Sequence, residues 1–428
     1  MSGEKTIVTS NGIKIHSYKV PTSHSFYLSL YLRVGSMYES SEESGITHFL
    51  EHALIRNVNS MMDGKLYTVL DQNGIAFNAS TYSEMVQFYI TGAPDSFRTC
   101  AEILTRLFSP IRLSSSEIRI ERERIKAEIR ESDDKSSLTS FSGGIVHDGT
   151  SLSRSILGTL GSVSRIGCTV LEGYRRRAFV ADNLFVYLTG AFDDSDLATL
   201  SELLGGVELY EGEIHDNTAP VSRNFGKREP KIYVKNADFT MVRFSFDMDM
   251  SRIKAGVDDL IYDILLEGYS SPFFIEMSEK RGLFYDLTGG VEKYRNIGTF
   301  FFSFEVRSDK VVDSLRQALK VLSDFKSRTL SEEECMKASY TRNGMMLCDD
   351  VRDLNFTLAY DSHILDAPYR TVEERVRWYD AITPEMIREA AEIIFAPENM
   401  VVAVKGNKRK LDIPALESLI CGYHKGLL

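Results

Sequence analysis

Asn73-Gly74-Ile75-Ala76-Phe77 closes a helical stretch and opens a hairpin, and Arg281-Gly282-Leu283-Phe284-Tyr285 does the same in the second half of the chain. Glycine just past a helix suits the left-handed turn that ends it. Outward from these two stretches the element order repeats. Ahead of the first lie a hairpin about Asn11-Gly12, an aromatic-rich strand over 25–34 and helices over 44–58 and 65–72. Ahead of the second lie two strands within 232–250 and helices over 256–267 and 271–281. Strand pairs over 75–91 and 283–306 follow, each trailed by two helices, 96–108 and 115–132, then 310–328 and 331–346. Leu113-Ser114-Ser115-Ser116-Glu117 and Leu330-Ser331-Glu332-Glu333-Glu334 each place a serine to cap the last of these. The expected fold class is α+β: two homologous repeats, each a mostly antiparallel sheet with helices packed on one face. The expected domains are 1–206 and 229–428, joined by a polar linker over 207–228.

Composition excludes several classes. The chain has 428 residues, 43% apolar and 26% charged, which is ordinary for a globular protein with a large core. Fifty basic against 61 acidic residues give a net charge of −11, unsuited to nucleic acid or to an anionic membrane surface. Arg175-Arg176-Arg177 and Lys408-Arg409-Lys410 read as solvated faces. No apolar run reaches the ~18 residues of a membrane span, and Met1–Val8 lacks the apolar core of a secretory signal. Five scattered cysteines form no Cys-x-x-Cys, which fits free thiols in a reducing compartment, so a cytoplasmic location is expected.

His48-Phe49-Leu50-Glu51-His52 carries the chemistry. Residues four apart on a helix project from one face, so His48 and His52 suit two imidazole ligands of one zinc ion. Glu51 lies on the edge of that face, where it reaches a water without displacing it, as a general base must. A third ligand is needed. Glu121, Ile125 and Glu128 share one stripe of a downstream helix, with arginines and a lysine on the other faces. Glu128 is read as the ligand and Glu121 as the carboxylate that orients a histidine. Spacing alone does not settle the order of those two, and an ion pair of Glu121 with Arg122 or Arg124 is the plainer alternative. The remaining six histidines have no partner at ligand spacing.

His48-x-x-Glu51-His52 with a downstream helical Glu resembles the pitrilysin/insulinase family of zinc metallopeptidases, and most closely its short, mitochondrial-processing-peptidase-like members. Ser44-Gly45-Ile46-Thr47, Asn78-Ala79, Ile156-Leu157-Gly158-Thr159 and Arg281-Gly282-Leu283-Phe284-Tyr285 match as well, so the likeness covers nearly the whole chain. It implies one zinc ion per chain, held by His48, His52 and Glu128, with Glu121 in support and Glu51 catalytic. It implies an endopeptidase that takes short or unfolded peptides into a clamshell chamber built by two chains. The peptide would bind as an added β-strand along Asn78, Ala79 and Ser80, and Tyr285 would help hold the substrate carbonyl. Ser278 stands where the family carries an arginine, seven residues before that tyrosine. The expected assembly is a homodimer; this departure keeps a heterodimer with a related chain, or a non-catalytic subunit, as the alternative. Lyases of S-ribosylhomocysteine share the five-residue motif but are much shorter and use a cysteine as third ligand.

Overall fold

The structure is a computed structural model and describes residues 3–134, 138–284, 286–348 and 350–427. It contains two compact units. The first comprises Met1–Lys135, Arg154–Asn217 and Asp349–Thr371, and the second Ser136–Ser153, Thr218–Cys348 and Val372–Leu428. The main switch, between Asn217 and Thr218, falls inside the expected linker. The expectation of two continuous domains, 1–206 and 229–428, needs one correction: each unit also takes in a short segment from the other half of the chain.

In the first unit six strands, β1 (Lys5–Val8), β2 (Lys14–Lys19), β3 (Phe26–Leu32), β4 (Ala76–Thr81), β5 (Val86–Gly92) and β6 (Leu184–Gly190), form one sheet in the order β1-β2-β6-β3-β5-β4. All neighbours run antiparallel except β2 and β6. Every residue of β3 and of β6 is buried, because both faces of the sheet are covered. One face carries the helix Ile46–Met61 and its neighbours. Against the other lies the helix Val351–Ala359, whose Asn355 Nδ2 donates to the Tyr27 and Tyr187 carbonyls at 3.2 and 3.1 Å while Oδ1 accepts from Tyr31 Oη at 3.0 Å. This borrowed helix covers the face opposite the single helical layer expected from sequence.

The second unit has β7 (Ile232–Asn236), β8 (Met241–Asp249), β9 (Leu287–Lys293), β10 (Ile297–Glu305) and β11 (Met400–Gly406), ordered β7-β11-β8-β10-β9. Only β7 and β11 run parallel. The borrowed helix Leu138–Val146 meets this sheet through Ser142, 3.1 Å from Ser245. The stretch 271–281, expected to be α-helical, instead forms a π-helical turn at Phe274–Glu279. Arg175 is fully buried and bonds Glu172 at 2.8 Å, so within that basic run only Arg176 and Arg177 lie on a solvated face.

The repeat is visible in backbone detail. Gly45 and Gly256 precede equivalent helices at φ +87° and +85°, and Gly74 and Gly282 follow with φ +59° and +57°. Ser114 with Glu117, and Ser331 with Glu334, cap the two long helices reciprocally. No helix among the described residues is long and apolar enough to cross a membrane.

Candidate metal centre

The helix Ile46–Met61 is positioned from its N-terminus. Glu39 is buried, and its two carboxylate oxygens accept from the Gly45 and Thr47 amides at 2.8 and 2.9 Å. A carboxylate there satisfies orphan amides and complements the helix dipole. Burial pushes the Glu39 carboxyl up, against the pull of those bonds. Gly45 meets Gly158 backbone to backbone: a Cβ on Gly158 would lie 2.5 Å from the Ser44 carbonyl oxygen and 2.8 Å from Gly45 Cα. Two stretches noted in the sequence, Ser44–Thr47 and Ile156–Thr159, thus meet at the start of this helix.

His48 and His52 stand one turn apart, ring centroids 4.7 Å from each other. The long helix Ser115–Asp134 brings Glu128 to them: its carboxylate oxygens lie 3.7 Å from His48 Nε2 and 3.8 Å from His52 Nε2. The three donor atoms all fall within 4.8 Å of one another. A tetrahedral ion with bonds of ~2.0–2.1 Å spaces its ligands by about 3.3 Å, so small side-chain rotations close the set. Burial first, and then the neighbouring His52, lower His48 to about 4, which keeps its lone pair available. The residues therefore fit a divalent ion with nitrogen and oxygen ligands.

Glu121, 2% exposed, supports the site. It accepts from His52 Nδ1 at 3.3 Å, from Arg56 Nε at 2.6 Å and from Arg124 Nη1 at 3.2 Å. Burial would raise its pKa, but the bonds from His52 and Arg56 outweigh burial and hold it low. Burial likewise works against a charged His52, yet the bond to Glu121 raises its pKa overall. The bond to Nδ1 leaves Nε2 facing Glu128. Glu128 meets both rings and Glu121 stands behind one. The ion pair with Arg124 exists as well, whereas Arg122 donates to the Ile166 carbonyl at 2.7 Å.

Glu51 is buried next to these residues and accepts a hydrogen bond from Thr81 Oγ1. Burial raises its carboxyl pKa, partly opposed by that bond, which suits a proton acceptor working near neutral pH. Sequence reasoning missed Thr81, although it is the residue after Ser80. Asn78, Ala79 and Ser80 lie on β4, which among the described residues is the edge strand of its sheet. The Ala79 amide there is taken by Asn78 Oδ1 at 2.9 Å. Tyr285 lies outside the described residues. Ser278 Oγ donates to the Phe284 carbonyl at 3.4 Å, and Arg281 is spent on Glu276 at 2.9 Å.

A second set of donors, Glu4, His16 and His363, also gathers within 4.8 Å, unforeseen because the parts are distant in sequence. Its polar atoms already serve each other: His363 Nε2 lies 2.8 Å from Glu4, and Thr6 Oγ1 2.8 Å from His16 Nδ1. The two rings stack at 3.7 Å and 20°, and His16 Nδ1 and His363 Nε2 both face Glu4 Oε1, at 3.6 and 2.8 Å. This cluster is a polar clamp in the first unit.

In the second unit, Asp259 and Asp263 occupy the third and seventh positions after Gly256, as His48 and His52 do after Gly45, and Tyr262 stands in the place of Glu51. Arg342 from the capped long helix binds Asp263 at 2.7 and 3.2 Å, and Lys293 binds Asp259 at 2.8 Å. Two permanent cations fill the place corresponding to the metal centre.

Residues 14–160 match the sequence model described as insulinase (peptidase family M16), and residues 168–339 match the one described as peptidase M16 inactive domain. An uncharacterized zinc protease of Mycobacterium tuberculosis is 21% identical over 417 residues, 94% of this chain and 93% of that protein. The mitochondrial-processing peptidase subunit beta of Saccharomyces cerevisiae is 24% identical over 221 residues, 51% of this chain and 46% of that one. A protease from Helicobacter pylori has the same fold, with TM-score 0.83 at 16% identity, covering 94% of this chain and 99% of that one.

Proposed function

We propose, from the premise that this chain belongs to the insulinase (peptidase M16) family, that it is a zinc-dependent endopeptidase acting on short or unfolded peptides. The observation that carries the reading is the approach of Glu128 to both His48 and His52, with Glu51 buried beside them. His48, His52 and Glu128 would hold a single zinc ion. Zinc bound there supplies Lewis acidity toward water and toward a peptide carbonyl. Glu51 accepts the proton of the attacking water and passes it to the departing amine. Thr81 fixes the Glu51 carboxylate, and Glu121 keeps His52 in one tautomer. The edge strand β4 aligns the peptide through main-chain bonds, so little sequence is demanded along most of its length. The arginine and lysine cluster of the second unit supports one ion per chain. Two copies closing a chamber over these sites complete the reading.

A partner-dependent subunit is the second reading, favoured by Ser278, which bonds only a main-chain carbonyl where the family carries a guanidinium. Hydrolysis of a quenched-peptide pool by the zinc-loaded protein separates the two. Activity of the isolated chain, removed by chelation and restored by zinc, supports the first. Glu51→Gln should keep zinc and lose about 10³ in kcat; full activity in that variant overturns the role of Glu51. Size-exclusion mass with zinc reports whether two copies assemble.

A further inference from the structure

A cavity of about 300 Å³ opens beside Glu51 and His52 in the first unit. Ile55, Tyr67 and Phe77 give it apolar walls, Asn78 joins it to the edge strand, and Arg56 and Arg124 give it charge. Two guanidiniums, Arg56 and Arg124, and two carboxylates, Glu51 and Glu121, line it, and the guanidiniums are used unequally. Arg56 directs Nε at Glu121 from 2.6 Å, and its side chain is 20% exposed. Arg124 reaches Glu121 through Nη1 alone, at 3.2 and 3.4 Å, and its side chain is 59% exposed. Its Nε and Nη2 have no partner among the described residues. A planar fork with open donors at the mouth of a partly apolar pocket is suited to a carboxylate.

A strand added along β4 turns alternate side chains toward the helices, and Asn78 belongs to both that edge and this cavity. One side chain next to the scissile bond would therefore enter between Ile55, Tyr67 and Phe77 and end at Arg124. We propose that this pocket selects an acidic side chain, glutamate above aspartate because its longer stem spans the apolar walls, with Arg124 as the specificity-determining residue. The inference rests on the peptidase reading and names the substrate class of that same site. Because Arg124 is half exposed, the selection weakens as salt rises.

The test uses zinc-loaded full chain and quenched decapeptides that differ at one residue beside the cleaved bond: Glu, Gln, Phe or Lys. Wild type should cleave the Glu peptide at least tenfold faster in kcat/KM than the Lys peptide. Arg124→Lys should keep the preference, Arg124→Gln should reduce it below twofold, and Arg124→Glu should reverse it, all with unchanged zinc content. Equal rates on Glu and Lys peptides in wild type, or a preference that survives Arg124→Gln, overturn the proposal. A second arm measures binding of the same labelled peptides to zinc-loaded Glu51→Gln by fluorescence anisotropy. Discrimination in Kd without turnover in wild type would sink the peptidase reading and leave this one standing; turnover without discrimination would do the opposite; neither binding nor turnover sinks both.

Discussion

Arg342 grips Asp263 through two nitrogens, at 2.7 and 3.2 Å, in the helical position where the first unit carries His52. One scaffold, an αL glycine, a short helix and a capped long helix, thus carries a candidate ion site in one copy and a permanent internal cation in the other. The second copy needs no metal to hold its two helices together.

Arg342→Met leaves the Asp263 carboxylate buried without its partner. It should lower unfolding free energy by about 3 kcal/mol, read from urea denaturation. Asp259→Leu and Asp263→Leu added to that variant should recover most of the loss, since replacing a whole buried cluster costs far less than breaking it. A loss under about 1 kcal/mol for the single variant would show that Lys293 alone suffices.

Glu121→Gln should weaken zinc binding about 10- to 100-fold, measured by competition with a chelator, while circular dichroism stays unchanged. The amide still accepts from one donor but no longer balances Arg56 or fixes the His52 tautomer. Unchanged affinity would mean that helix packing alone orients the ring.

Glu39→Ala removes two acceptors from the N-terminus of the helix bearing the histidines. The expected cost is about 2 kcal/mol, and zinc affinity should fall with it because His48 sits one turn further on. Glu39→Gln, which keeps one acceptor, should lose less of both.

Gly158→Ala combines φ +74° with a Cβ 2.5 Å from the Ser44 carbonyl oxygen, a backbone atom that cannot yield. A loss of ~3 kcal/mol is expected. Gly161→Ala, whose Cβ would meet Thr159 Oγ1 at 3.8 Å, is the control and should stay near wild type.

His147 is buried in the second unit near Arg228, and burial first, then that charge, lower it to about 4. In the unfolded chain it titrates near 6.5. Its folded pKa is depressed, so the unfolded state takes up the proton first. The stability it permits is whole above pH 6.5 and declines as pH falls toward 4, by up to about 1.4 kcal/mol per pH unit. Urea midpoints at pH 7.5, 6 and 5 should therefore fall less steeply in His147→Gln than in wild type. Parallel slopes would remove His147 from the account of acid sensitivity.

The repeat and the metal helix were legible because they are local. A period of 3.6 fixes which side chains share a face, so His48, His52 and Glu51 could be placed from spacing, and the reciprocal Ser–Glu caps mark both long helices. The strands β6 and β11 are short continuous apolar runs, with no period to mark a face. They lie inside their sheets beside partners that come from far away in sequence, as do the borrowed helices Val351–Ala359 and Leu138–Val146.

Sequence by itself determined the α+β repeat, the histidine pair and the two candidate carboxylates, since these depend on backbone geometry within a few turns. Only the tertiary structure decided that Glu128 faces both rings while Glu121 is drawn to Arg56, that Thr81 holds Glu51, and that Arg342 fills the second copy. Those outcomes depend on how helices and strands pack, where burial and charge balance are settled by neighbours that no local spacing encodes.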